Sequence, residues 1–165
     1  MKKVRAVVST ILICSMALAV AACSGGKVTL KTTDEIKDAC EKAGYKEDEI
    51  MAMDVDDKTA MVMAGDMETV IITYVKSEDA EEQFKSSYDD LADALNDKDS
   101  FDGKHSEKED SYIVFDGTAK QDGEEQYMYG GYYYVDGTMV VAMAMDKDGA
   151  SQVKDFIKAI GYPTP

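Results

Sequence analysis

Polar and apolar residues recur along this chain with two different periods, and the changes of period mark its elements. Residues 6–19 are mainly apolar, behind a basic start of Lys2, Lys3 and Arg5. Thr32 with Glu35 three residues on is a capping box that opens a helix. Ile36, Ala39, Cys40 and Ala43 mark its apolar face, Gly44 stands where a left-handed closing residue belongs, and Tyr45 folds back on the last turn. Alternation replaces helical spacing over residues 49–55 and 59–64, joined through Asp56-Asp57. After a turn at Gly65-Asp66, residues 69–75 are rich in β-branched and aromatic side chains, completing a three-strand meander. A second helix, capped by Ser77, carries Ala80, Phe84, Tyr88, Leu91 and Leu95 at helical spacing. Residues 96–110 are polar enough to predict a loop. Strands follow at residues 112–119, 126–135 and 138–145, with turns at Asp122-Gly123 and Asp136-Gly137. A last helix, capped by Asp148, shows Val153, Phe156, Ile157 and Ile160 on one face; Gly161 ends it and Pro163 bars its extension.

This order predicts an α+β fold. The expected architecture is one mainly antiparallel sheet of about six strands in two meanders, with two or three helices packed on one face to cover its apolar side. Laying Gly65-Asp66 near Asp136-Gly137 aligns Val70 and Ile71 with Val140 and Val141, as a tandem helix-plus-three-strand repeat would. Ile36-Lys37-Asp38 through Gly44-Tyr45 likewise matches Val153-Lys154-Asp155 through Gly161-Tyr162; glycine-ended amphipathic helices resemble one another without duplication, which accounts for such matches equally well. The arrangement looks like that of the β-lactamase inhibitor proteins, but no motif is shared, so the likeness concerns architecture alone.

The beginning of the chain changes the picture most. Its apolar core falls short of the ~20 residues that span a bilayer and ends on small residues directly before a thiol. Val20-Ala21-Ala22-Cys23 resembles the lipobox of bacterial lipoproteins. The resemblance implies a signal peptide over residues 1–22, acylation of Cys23, a flexible tether over residues 23–31 opening on Ser24-Gly25-Gly26, and one domain over residues 32–165. A lipid adds about 0.8 kcal/mol per buried methylene, so chains on one cysteine hold a domain at the extracytoplasmic face of the cell membrane without a spanning helix. The region after Cys23 is similar to small acidic lipoproteins of Gram-positive gut bacteria, with helices ending in Gly44-Tyr45 and Gly161-Tyr162. That similarity implies membrane attachment and an α+β domain, and transfers no catalytic or binding residue.

Charge and cysteine count narrow the partners. The net charge of the full chain is −15, the signal removes three positive charges and no acid, and the one arginine, Arg5, goes with it. A domain without guanidinium forks or a basic stripe is a poor binder of nucleic acid or anionic headgroups. Cys14 leaves with the signal and Cys23 takes the lipid, so Cys40 has no disulfide partner and reads as a buried structural thiol.

Three constellations invite chemistry. Asp97, Asp99 and Asp102 resemble the start of a calcium loop, but Phe101, Asp102 and Lys108 occupy positions where an EF-hand needs an oxygen ligand, glycine and glutamate. A loose divalent-cation site or a solvated acidic loop is what remains. Met51 and Met53, Met61 and Met63, and Met143 and Met145 pair two residues apart, as soft Cu(I) ligands or as one face of a methionine-filled core beneath helices. Tyr127, Tyr129, Tyr132, Tyr133 and Tyr134 crowd one strand around Gly130-Gly131, a pair that suggests a bulge; one parity of these rings is expected inside and the other free to stack on a glycan or protein. No nucleophile elbow, HExxH, CxxC or phosphate-cradling glycine loop occurs. The expectation is a non-enzymatic, lipid-anchored binding or accessory domain without cofactor, contacting an envelope protein or glycan through Tyr127, Tyr129, Tyr132 and Tyr134. Metal handling by the methionines or the acidic loop is the alternative, and a carboxylate-dependent hydrolase a weaker third.

Overall fold

The computed structural model describes residues 27–121 and 124–165. The signal segment, Cys23, the Ser24-Gly25-Gly26 stretch and the Asp122-Gly123 turn lie outside the described residues. In chain order the elements are α1 (Thr33–Lys42), a 3-10 turn (Glu47–Glu49), β1 (Ile50–Asp56), β2 (Thr59–Ala64), β3 (Val70–Lys76), α2 (Ala80–Asn96), β4 (Phe101–Lys108), β5 (Tyr112–Gln121), β6 (Glu124–Val135), β7 (Thr138–Ala144) and α3 (Lys147–Ile160). The α+β class holds, and every strand pair is antiparallel.

The sheet has seven strands, not about six. Its spatial order is β1-β2-β3-β7-β6-β5-β4, so two equal meanders do not describe it. The extra strand is β4, within the stretch expected to be a loop. It forms the outer edge beside β5, and Phe101 is its one buried residue, which is why no alternation was legible there.

Helices cover both faces, where one was expected. On the first face Val62, Ile72, Tyr74, Val140 and Ala142 meet Ile36 and Cys40 of α1 and Val153, Phe156 and Ile157 of α3. On the second, Leu95 and the half-buried Leu91 of α2 pack on Ile113, Phe115 and Met143. Full burial of a side chain such as Phe156 on the first face or Phe115 on the second contributes about 1.5–3 kcal/mol, so both layers are substantial.

The helix ends follow the chain's local chemistry with two corrections. At α1 the Thr32 hydroxyl accepts from the Glu35 amide (3.3 Å) and the Glu35 carboxylate accepts from the Thr32 amide (2.9 Å), as the capping box requires. The cap of α2 is Asp79 instead of Ser77, whose hydroxyl is buried without a partner among the described residues. The cap of α3 is Asp146 instead of Asp148; its carboxylate accepts from Gly149 N at 2.6 Å. Gly161 closes α3 at φ 73°.

Residues 27–31, expected as tether, are built into the domain. Val28 is buried, Tyr162 Oη donates to Thr29 O (2.6 Å), and Tyr74 Oη donates to Lys31 O (3.1 Å). The segment after α3 is fixed as well, since Tyr133 Oη donates to Pro163 O at 2.8 Å. No helix among the described residues is long and apolar enough to cross a membrane.

Candidate functional site

Strand pairing decides which side chains share a face. Ala52 lies opposite Val62, which is buried under α1 and α3, so the residues of the other parity point away from those helices. Those residues are Met51 opposite Met63 and Met53 opposite Met61. The row continues with Met61 opposite Val75 and Met63 opposite Thr73, then Val75 opposite Met139 and Thr73 opposite Val141. This is the face on which α2 lies, but α2 sits over β4–β7. No helix among the described residues covers the β1–β3 half.

Exposure follows that geometry. Met51 is 59% exposed and Met53 48%; Met61, Met63, Ile71 and Val75 are half-buried; Met143, nearest α2, is 7% exposed. Met67, in the turn between β2 and β3, is exposed too, whereas Val55, past the β1 bulge, lines a hollow with Leu30, Thr33 and Tyr74 on the α1 side. The Met143 member of the three pairs therefore belongs to a core beneath a helix, as one of the two sequence readings expected. Met51, Met53, Met61 and Met63 do not, because no helix among the described residues covers that half of the face. Their parity was legible in the sequence; the position of α2 was not.

One wall of the strip is α2. Asp79, Glu82, Gln83, Ser86 and Ser87 line a hollow above Met139, and Asp90 and Asp93 continue the Ser86 row at helical spacing. At the hairpin end Lys58 pairs with Glu78 at 3.1 Å. At the other end the Asp66 carboxylate accepts from the amides of Glu68, Thr69 and Val70 and from the Thr69 hydroxyl, at 2.6–2.9 Å. The Thr69 hydroxyl and these amides hold that carboxyl well below the usual range.

The tyrosines do not assemble into one surface. Tyr127 and Tyr129 face the α1/α3 side and Tyr132 and Tyr134 the α2 side. Tyr129 is buried, and burial pushes its hydroxyl up to about 12. Tyr127 donates to Asp116 Oδ1 (3.0 Å) with Lys147 over its ring, and burial, then the Asp116 bond, raises it to about 12. Tyr132 packs under α2, and Tyr134 stacks on Phe84 with ring centroids 5.6 Å apart. The expected bulge at Gly130-Gly131 is absent, for register runs unbroken from Tyr129 to Val135. Gly130 adopts φ 141°, and a Cβ there would collide with Ala142 O, so close strand packing explains the glycine. The bulge lies instead between Asp54 and Asp56 of β1.

The acidic triplet is not brought together. Asp97 ends α2, with its carboxylate accepting from Ser100 Oγ (2.7 Å) and Asp99 N (3.0 Å), whereas Asp102 sits on β4 opposite Thr118. Among the described residues no group of three or more His, Cys, Asp or Glu could hold a metal ion. A hollow of about 500 Å³ is lined by Tyr45, Glu49, Asp66, Asp146 and Asp148, but the Asp66 and Asp146 carboxylates are committed to a turn and a helix cap. Cys40 is fully buried, and desolvation pushes its thiol up to about 12, far from a reactive thiolate.

No family model matches the chain, and no curated protein matches it. One solved structure is similar: LpqN, involved in cell envelope biogenesis of Mycobacterium tuberculosis, at 13% identity and TM-score 0.29, with 70% of this chain and 71% of that one covered. A TM-score of that size does not establish a shared fold.

Proposed function

We propose that this chain is a lipid-anchored, non-enzymatic binding or accessory domain on the extracytoplasmic face of the cell membrane, attached through Cys23. Its partner is another envelope component, and its binding surface is the open half of the sheet instead of the tyrosine strand. The observation that carries this reading is the apolar strip of Met51, Met53, Met61, Met63 and Val75, which no helix among the described residues covers. Contiguous apolar surface left in water costs stability and solubility, and on a chain otherwise this acidic it marks an interaction site. The lipobox supports the location. The test uses the native host: an alkynyl fatty acid should label the wild type and not Cys23→Ala. A photocrosslinker at Met53 should capture a membrane-associated partner where one at Asp148 does not. An unlabelled wild type removes the anchor, and equal crosslinking at both positions removes the surface.

A second reading has one specific observation in its favour. Met51 with Met63 and Met53 with Met61 are directly opposed across strands, which sets four thioethers side by side for a soft monovalent cation such as Cu(I). Titration with Ag(I) while observing methionine methyl resonances tests it: these four should shift together at stoichiometric metal, and their standing still ends the idea.

A further inference from the structure

The open strip has the dimensions of one missing helix. Three strands about 4.8 Å apart give a floor roughly 10–14 Å wide, against about 10–12 Å for a helix with its side chains. Strands of this length run about 20 Å, or roughly 14 helical residues. On the first face α1 and α3 lie side by side; on the second α2 has no such neighbour among the described residues. The floor is rich in methionine, an unbranched and polarisable side chain that repacks around varied apolar partners.

Charge selects the occupant. The exposed wall of α2 beside the strip presents Asp79, Glu82, Asp90 and Asp93. The lysine of that helix, Lys85, is already held by Glu81 (2.7 Å) and Asp110 (3.8 Å), and Lys58 by Glu78. A second copy of this chain would bring an identical acidic wall, and an anionic bilayer would meet the same repulsion. Resting on the reading of the open face as the binding surface, we infer that its partner is a cationic amphipathic helix of another protein, laid beside α2 with its apolar stripe on the methionines and its lysines or arginines along the acidic wall.

The chain has no tryptophan, so one indole on a peptide reports binding without background. The probe is an amphipathic Leu/Lys peptide of about 18 residues with a single Trp, added to the chain from Ser24 onward, which keeps every described residue; a Leu/Glu peptide of the same pattern is the control. The Leu/Lys peptide should blue-shift and saturate at one per chain, weakening roughly tenfold or more as salt is raised tenfold, and the Leu/Glu peptide should not bind. Met53→Lys with Met61→Lys should weaken binding roughly tenfold with an unchanged circular dichroism spectrum. Glu82→Lys with Asp90→Lys, which leaves the floor intact, should weaken the basic peptide and admit the acidic one. Equal binding of both peptides overturns the charge assignment. Binding indifferent to the methionine substitutions overturns the docking site, and a concentration-dependent dimer lost with them overturns the occupant in favour of a second copy. Failure of both peptides while Met53 still crosslinks in membranes overturns the partner's chemistry and leaves the binding surface standing; loss of that crosslink too removes both.

Discussion

The second face of the sheet contains its own control. Under α2, the Ile113, Phe115 and Met143 side chains are sealed; a few strands away, the same pleat carries Met51 and Met53 into water. Both halves are apolar in sequence and both obey the same alternation, so hydrophobic pattern does not distinguish a core from a surface kept for something else. What separates them is where one helix was set down.

The largest expected effect contrasts the halves directly. Phe115→Ala should cost about 3–5 kcal/mol in urea unfolding, as for a buried aromatic, whereas Met53→Ala should stay within about 0.5 kcal/mol. Comparable losses would mean that the strip is covered in solution. Of intermediate size is the response of the opposite face: Thr32→Ala should remove about 1 kcal/mol by uncapping α1, while leaving any ligand titration at the strip unchanged. Change at the strip would show the two faces to be coupled. Under limiting peroxide, Met51 and Met53 should become sulfoxides well before Met143, read by peptide mass mapping; simultaneous oxidation would erase the contrast.

The smallest effect concerns pH at the turn between β2 and β3. The Asp66 carboxyl is held below its ordinary value, so its contribution is complete above the unfolded pKa of about 3.9 and drains away as pH falls from there through the lower folded value. Protection of the Thr69 and Val70 amides, measured against their intrinsic exchange at each pH, should therefore fall in that acid window, and Asp66→Asn should flatten the change. An Asn variant with the same change would assign the acid sensitivity elsewhere.

Much of this was legible in the chain. Val62, Ile72 and Tyr74 alternate with polar or outward residues, so β2 and β3 declared themselves, and Thr32, Gly44 and Gly161 marked their helix ends. β4 hid because an outer edge strand lined by Asp102, Lys104 and Glu107 needs almost no buried side chain. The tyrosine strand misled for a different reason. Its two parities were read correctly, yet helices on both faces half-bury or bury Tyr127, Tyr129, Tyr132 and Tyr134 alike. An amphipathic helix states that it has an apolar side; it does not state which side of a sheet that will meet.

The bond from Tyr162 Oη to Thr29 O gives the ends of the fold a mechanical meaning. Residues 27–31 and the stretch beyond α3 therefore meet at one corner, so a pull applied at Lys27 would reach α3 through that bond as well as α1 through the backbone. Anything genetically fused after Pro165 would emerge beside residues 27–31.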